Sequence, residues 1–271
     1  MAYDKIISEV LRRTGARLRK SHISDWVNGK HDPYGSINKF SSTPVPELAY
    51  VIGVAKGDAT LGLQAWTYRL RLRVIDKEFA EEFDRCASSV IRSRRHSLHW
   101  LPNSGLWCVE VCSVLLHRYL KQSFSVLKKA ISHCEDCIAA FLRGFFDSEA
   151  SVSGRSLTVS NASLQLLRFV GTSLRRLQVS TTGPYLSQLG GRPVVIKGKI
   201  YRANKNIYVL RVRAGSLEPY SRRVGFAVRR KERALRLGLN LRARSMNVNK
   251  KLKRGGGGSP GGSIEPTFGP T

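Results

Sequence analysis

One segment of the chain occurs twice, and this duplication restricts the fold more than any other feature. Residues 51–59 read VIGVAKGDA, and residues 142–150 read LRGFFDSEA. Each copy is an apolar helical segment ending in an acid, Asp58 in the first and Glu149 in the second, 91 positions apart. Strand-like segments and further amphipathic helices follow each copy. The sequence therefore predicts an α+β protein built from two copies of an αββαββα unit.

Small residues recur four positions apart in both copies. They are Gly53 and Gly57 in the first, and Gly144 and Ser148 in the second. Residues at i and i+4 share one face of a helix, and small side chains there let two helix backbones approach closely. Both helices are too short and too charged to cross a membrane. We therefore expect them to pack against each other, with their C-terminal ends side by side.

This packing would bring two carboxylates, Asp58 and Glu149, close together. The two charges repel each other, and both face the negative end of a helix dipole. A cation would compensate, and Mg²⁺ typically binds one or two carboxylates together with phosphate oxygens. Such a metal can activate water and stabilise the leaving oxygen of a phosphodiester. The alternative, two solvated helix-end acids, is disfavoured because the acids occupy matching places in two repeats.

The charge of the chain indicates a polyanionic partner. Lysine and arginine number 46 and acids 19, giving a formal net charge of +27. Nucleic acid and anionic membrane surfaces are the usual partners of such a charge. No apolar run reaches the roughly 18 residues of a membrane span, and the N-terminal stretch has no apolar signal core. We therefore expect a cytoplasmic protein that binds nucleic acid, with a ribosomal or chromatin protein as the alternative without chemistry.

Two strands carry the predicted nucleic-acid interface. Arginines at 69, 71 and 73 alternate with aliphatic residues, so one strand face is basic and the other apolar, and Arg211 and Arg213 repeat the pattern. A β-ribbon fits the major groove, where arginine reads guanine, although phosphate contacts usually outnumber base contacts. The residues predicted to contact DNA are Gln64, Trp66, Tyr68, Arg69, Arg71, Arg73, Lys197, Lys199, Arg202, Arg211 and Arg213.

The two motifs, with the flanking runs PELAYVIGV and HCEDCIAAFLRGFFDSEASV, resemble the LAGLIDADG homing endonucleases. The resemblance covers about residues 44–240 and is to the single-chain, archaeal, intron-encoded type. It implies a pseudo-two-fold pair of halves, with two antiparallel sheets forming a DNA-binding saddle. It also implies that Asp58 and Glu149 bind divalent metal, either Mg²⁺ or Mn²⁺ or Ca²⁺ in its place. The implied reaction cuts both strands of a long duplex and leaves short 3′ overhangs.

The resemblance extends to further site residues. Ala59 and Ala150 stand where the family usually has glycine, and their backbone carbonyls are weaker candidates as metal ligands. Segment 225–231 resembles the part of the family that supplies a basic residue near the scissile phosphate, which makes Arg229 and Lys231 catalytic candidates. In the first half the candidates are less distinct. They are Lys121, Lys128 and Lys129, with Arg73 at the place of a water-positioning residue.

The chain divides into four parts, and we expect it to act as a monomer. Residues 1–45 form a helical extension, 46–135 the first half, 136–245 the second half and 246–271 a flexible basic, glycine-rich tail. Within the extension, residues 21–33 have the spacing of the second part of a helix-turn-helix motif. The equally favoured alternative is a short helix whose Trp26 packs on the main domain.

The cysteines offer a second, weaker metal motif. His133, Cys134 and Cys137 have a spacing that zinc sites use, but a structural zinc site needs four ligands. The pair Cys108 and Cys112 is more loosely spaced and is predicted to lie on a strand. Ordinary thiols are therefore favoured and zinc is disfavoured, with a local disulfide as a third alternative.

Two other functions compete with the endonuclease. An RNA-binding intron maturase would need the basic saddle, with intron RNA as its partner, but not both acids. A non-catalytic transcription regulator would bind DNA through residues 21–33 without metal. In either case Asp58→Asn would leave function intact, whereas an endonuclease would lose cleavage.

Overall fold

A computed structural model of the chain describes residues 3–30, 40–64, 67–196, 199–202 and 204–240, with backbone alone at 194–196 and 199–202. Two short helices open it, α1 (Tyr3–Thr14) and α2 (Lys20–Val27). No residue of α1 is buried, whereas Ile23 of α2 is. Trp26 is half-buried, and part of the predicted helix-turn-helix segment lies outside the described residues.

The first half contains one four-stranded antiparallel sheet covered by helices. Its sheet order is β1-β2-β4-β3, with β1 and β2 forming a hairpin. The elements are α3 (Pro46–Lys56), β1 (Thr60–Gln64), β2 (Thr67–Val74), α4 (Lys77–Ile91), β3 (His99–Leu101), β4 (Leu106–Cys112), α5 (Val114–Leu120) and α6 (Phe124–Ile131).

The second half repeats this order with a sheet β5-β6-β10-β7, and a separate hairpin pairs β8 with β9. The elements are α7 (Glu135–Glu149), β5 (Ala150–Ser153), β6 (Ser156–Asn161), α8 (Leu164–Arg176), β7 (Thr181–Gln188), β8 (Pro193–Ile196), β9 (Lys199–Arg202), β10 (Ile207–Val212), a 3₁₀ turn (Ala214–Ser216), α9 (Leu217–Arg223) and α10, residues 229–240. The predicted α+β class with two antiparallel sheets is confirmed.

The inner faces of the sheets pack under the helices as the alternation predicts. Leu70 and Leu72 of β2 are 1% and 0% exposed, and they belong to the same core as Phe79 and Phe83 of α4. That core is continuous across both halves. Among the described residues, none of the helices combines the length and the apolar character that a bilayer span requires.

One helix boundary differs from the sequence prediction. The pattern predicts a helix from residue 161, but Asn161 is still the last residue of β6 and α8 begins at Leu164. The reason is the cap at Ser163, whose hydroxyl oxygen accepts a hydrogen bond from the Leu166 amide at 3.2 Å.

Candidate active site and nucleic-acid interface

Helices α3 and α7 touch along their backbones through the small residues. A Cβ atom added to Gly53 would lie 2.3 Å from the Phe141 carbonyl oxygen, and one added to Gly144 would lie 2.5 Å from the Tyr50 carbonyl oxygen. Neither position has room for a side chain. Toward the C-terminal ends, a Cβ on Gly57 would lie 2.4 Å from the Ser148 Cβ. All four small residues named from the sequence therefore lie in this contact.

The two acids meet where these helices end. Asp58 directly follows Gly57, the C-cap of α3, and Glu149 is the last residue of α7. A Cβ on Gly57 would lie 3.3 Å from the Glu149 Cγ, so the two segments are in contact. Loss of solvent raises the pKa of both carboxyls, and the charge of Asp58 raises the pKa of Glu149 further. The two carboxylates thus repel each other across the interface between the halves.

Asn161 orients the second acid. Its Nδ2 donates a hydrogen bond to Glu149 Oε1 at 2.9 Å, which offsets part of the rise in the Glu149 pKa. The other end of the amide is fixed as well, because Asn161 Oδ1 accepts from the Ser163 amide at 2.9 Å. The sequence motifs did not single out Asn161. The signal that could have found it is a polar side chain at the end of β6, which pairs with β5, the strand directly after Glu149.

Lys231 lies behind the acids, with its amine against the end of α7. Its Nζ donates to the carbonyl oxygens of Phe146 at 3.0 Å and Asp147 at 2.6 Å, and reaches that of Ser148 at 3.4 Å. These carbonyls belong to the last turn of α7, at the negative end of its dipole, and the Phe146 oxygen also accepts from the Ala150 amide. The charge of Lys231 lowers the pKa of both Asp58 and Glu149, against the effect of burial. The structure therefore places Lys231 under the carboxylates, and its predicted role near a scissile phosphate stays a prediction.

Asp147 makes the reciprocal contact from α7 to the segment before α10. It is 2% exposed, and its carboxylate accepts hydrogen bonds from the Tyr50 hydroxyl at 3.0 Å and the backbone amides of Ala227 at 3.1 Å and Val228 at 3.3 Å. Burial raises its pKa to about 7 despite these donors. Asp147 thus holds the segment that precedes α10, while Lys231 of α10 caps α7.

Two cavities flank the acids. Asp58 lines one of about 280 Å³, together with Arg73, Asp76, Arg230 and Lys231. Ala150 lines a neighbouring one of about 390 Å³, which shares Arg230 and Lys231. Arg230 is held by Asp76 at 3.0 Å. The side chain of Arg73 is exposed to solvent, and it contributes a positive charge to the cavity that Asp58 lines.

The other candidate site residues lie at several places around the acids and on the surface. Ala59 and Ala150 are 8% and 7% exposed next to the acids, and their role as carbonyl ligands stays a prediction. Arg229 instead lines a third cavity, of about 850 Å³, and its amide donates to Glu78 at 3.0 Å, so it does not share the cavity of Asp58. The ammonium of Lys128 lies 5.1 Å from the Phe124 ring and 5.2 Å from the Phe169 ring. Lys121 and Lys129 are exposed to solvent.

The outward face of the first sheet is basic, but two of its arginines share an acid. Glu110 on β4 lies 3.2 Å from Arg69 Nη1 and 2.5 Å from Arg71 Nη2. Gln64 and both arginines line one groove of about 300 Å³ on this face. The acid on the neighbouring strand lowers the net positive charge of this surface below what β2 alone suggests.

Tyr68 is not on the arginine face. Strand alternation places it with Leu70, and register places it opposite Leu63. Its ring makes an edge contact with His117 of α5 at 5.0 Å between centroids. Tyr68 thus lies on the strand face opposite to the arginines, and its contact with DNA stays a prediction.

The outward face of the second sheet has a different chemistry. Arg211 is exposed there, and its partners across the two neighbouring strands are Thr158 and Thr182. Arg213 is exposed just beyond β10. Of the other predicted contacts, Trp66 and Lys197 lie outside the described residues. Lys199 and Arg202 lie on β9, where the structure describes the backbone alone, and their contact with DNA stays a prediction.

The duplicated αββαββα order, the small-residue contact of α3 with α7 and the paired acids together define a LAGLIDADG protein, and the chain belongs to that family. Residues 136–225 match the family model described as a LAGLIDADG-like domain. Protein MJ0398 of Methanocaldococcus jannaschii is 30% identical to the chain over 239 residues, covering 86% of each sequence.

Two solved structures are similar in fold. The homing endonuclease I-DmoI in complex with DNA and Mn is 16% identical, and the match covers 66% of this chain and 96% of that chain with a TM-score of 0.48. Full-length DUF199/WhiA from Thermatoga maritima is 11% identical, and the match covers 80% of this chain and 69% of that chain with a TM-score of 0.47.

Proposed function

We propose that this protein is a site-specific DNA endonuclease that hydrolyses both strands of a long duplex. One observation carries the proposal: Asp58 and Glu149, from matching places in two halves, meet at the ends of two helices that no side chain separates. A repelling acid pair with raised pKa values is costly to the folded protein. Its presence at the centre of a basic surface is best explained by a cation bound there with DNA.

The donor set fits a hard divalent cation. Asp58 and Glu149 offer carboxylate oxygens, the ligands that Mg²⁺, Mn²⁺ and Ca²⁺ prefer. Such a metal, when bound, supplies an activated water and stabilises charge on the phosphate. In the chain itself, the charge of Lys231 lowers the pKa of both carboxyls against the larger effect of burial, and Asn161 holds Glu149 in place. Arg73, exposed in the cavity of Asp58, is placed to contact a phosphate there.

The two sheets would bind the duplex on either side of the acids. Each half then covers about one helical turn, so the target spans roughly two turns. One chain supplies both halves and both acids, so we propose that it acts as a monomer. The arginines of β2 combine phosphate contacts with base contacts in the major groove.

The test is cleavage of a randomised duplex library with Mg²⁺ by the full chain, alongside Asp58→Asn and Glu149→Gln. Glu218→Gln is the matched control, because it makes the same change at an exposed acid that pairs with Arg222 on α9. Sequenced ends that share one long site, lost in both site variants and kept in the control, would support the endonuclease. Intact DNA with wild-type protein at several temperatures, despite salt-sensitive binding, would overturn it.

One observation favours a second candidate, a DNA-binding protein without nuclease activity. Lys231, the cation predicted to act on the phosphate, instead donates its hydrogen bonds to the end of α7. A pure binding protein would need the basic face but not the acids. Its DNA affinity would be unchanged or raised in Asp58→Asn, and no condition would produce cleavage.

A further inference from the structure

A cluster of metal-ligating side chains lies at the opposite end of α7 from Glu149. The Nδ1 or Nε2 atom of His133 and the Sγ atoms of Cys134 and Cys137 all lie within 4.8 Å of one another. Because α7 has 15 residues, its two ends are about 20 Å apart. The cluster is therefore separate from the acid pair.

The local backbone already holds the first sulfur in place. Cys134 is the N-cap of α7, and its Sγ accepts a hydrogen bond from the Cys137 amide at 3.4 Å. Backbone N–H donors to a ligating sulfur are the outer-shell contacts that orient metal ligands.

The chemistry of the three donors selects the metal. Two sulfurs and one imidazole nitrogen suit Zn²⁺, with typical bond lengths of about 2.3 Å and 2.0–2.1 Å. In a tetrahedral site these bonds put ligand atoms roughly 3.5–3.8 Å apart. The separations in the cluster, 4.8 Å or less, exceed this by about 1.3 Å at most, which side-chain rotation, above all of the exposed His133, can supply.

Among the described residues, no fourth protein ligand joins the cluster. Glu135, the residue after Cys134, is held by Arg223 at 3.0 Å, and His133 faces solvent. Zinc sites with three protein ligands complete their coordination with water. The sequence disfavours zinc because it offers three ligands, whereas the structure shows those three gathered at one point.

We propose that His133, Cys134 and Cys137 bind one Zn²⁺ ion, with water as the fourth ligand. The ion fixes the turn between α6 and α7 and the first turn of α7. Because Cys137 is fully buried in the core, the site anchors the N-terminal end of the helix whose other end carries Glu149. With water as its fourth ligand the site is of the open type, and because it lies about 20 Å from the acid pair the ion takes no part in phosphodiester hydrolysis.

The test uses the full chain, reduced and stripped of metal, with excess Mg²⁺ present to occupy the acid pair. Zinc affinity is measured against a chromogenic chelator, and Co²⁺ is used as a spectroscopic substitute. The site variants are His133→Ala and Cys134→Ser, at the two more exposed ligands. The control is Cys112→Ser, at an exposed thiol on β4.

We expect one equivalent of Zn²⁺, a thiolate-to-cobalt charge-transfer band, and a higher melting temperature with zinc. Each site variant should bind zinc more than about tenfold more weakly, since loss of outer-shell partners alone typically costs 10–100-fold. Cys112→Ser should behave as wild type. Melting curves of the apo variants show whether they are folded, so lost binding is separated from lost structure.

Three results would overturn the proposal. One is the absence of a thiolate-to-cobalt band in the folded wild-type chain. Another is equal zinc affinity in wild type and His133→Ala. The third is a Cys134–Cys137 disulfide that forms readily in air even with zinc present. None of these results bears on cleavage by the acid pair, because Asp58→Asn and Glu149→Gln retain the cluster.

Discussion

Replacing Gly53 by alanine tests whether the acid pair depends on close contact between α3 and α7. The added Cβ would lie 2.3 Å from the Phe141 carbonyl oxygen and 2.9 Å from the Phe145 nitrogen. Both atoms belong to the backbone of α7, so no side chain can move aside and the helices must separate. Overpacking of this kind typically costs about 1–3 kcal/mol, and more where the backbone must shift.

The helix propensity of alanine works in the other direction. Alanine is about 1 kcal/mol better than glycine within a helix. We therefore expect Gly53→Ala to lower the free energy of unfolding by about 1–2 kcal/mol net. Gly171→Ala in α8 is the matched control, because the Cβ added there would lie 3.6 Å from its nearest neighbour, the Leu210 Cδ1, which is an ordinary van der Waals distance. That variant should be as stable as wild type or up to about 1 kcal/mol more stable.

Equilibrium unfolding in urea measures both effects, and cleavage assays on folded protein measure the consequence for the site. A misplacement of about 1 Å can cost on the order of 100-fold in rate. We therefore expect Gly53→Ala to lose activity even where it is fully folded. The reasoning would be refuted if Gly53→Ala gained stability to the same extent as Gly171→Ala, since no steric penalty would then exist at the contact.

Three further predictions concern charges around the site. Lys231→Met should lower the free energy of unfolding by about 2–3 kcal/mol in denaturant titrations, because α7 loses charged donors to its last carbonyls; unchanged stability would contradict the capping role. Cleavage should fall on acidification at a pH above the ordinary carboxylate range of about 4, because protonation of Asp58 and Glu149 removes the metal ligands. The stability of the metal-free protein should respond to pH in the opposite direction to cleavage. Because the folded-state pKa values of the two acids are raised, the free energy of unfolding decreases as the pH rises through them. Added Mg²⁺ should remove this pH dependence in thermal melts. Glu110→Gln should free Arg69 and Arg71 for phosphate, which strengthens non-specific DNA binding and steepens the log–log salt dependence by about 0.9 in anisotropy titrations; weaker binding would show that Glu110 mainly positions the arginines.

Local sequence patterns predicted the parts of the molecule that depend on short-range periodicity. The four-residue spacing of Gly53 and Gly57 was enough to predict a close helix contact, because i and i+4 always share a face. Alternation along β2 predicted the burial of Leu70 and Leu72 for the same kind of reason. The same alternation places Tyr68 on the face of Leu70, away from the arginines with which it is predicted to contact DNA.

Contacts between residues far apart in the chain could not be predicted in this way. Asp147 and Lys231 are each bound by groups 80 or more positions away, and nothing near either residue indicates the partner. Asn161 is only 12 positions from Glu149, but their hydrogen bond depends on how β6 pairs with β5. The spacing of His133, Cys134 and Cys137 indicated three candidate ligands, whereas their gathering within 4.8 Å of one another depends on the turn before α7.

The exchange of hydrogen bonds between α7 and α10 also sets the order in which the protein can become complete during synthesis. A chain that ends at residue 225 already contains both acids and every strand of both sheets. It lacks the amides of Ala227 and Val228 that bind Asp147, and the amine of Lys231 that binds the end of α7. A nascent chain, or one shortened by an early stop codon, therefore carries Glu149 on a helix end without its anchor. The position of Glu149 therefore depends on residues 227–231 as well as on α7, and a chain shortened before them is expected to hold the acid pair less firmly.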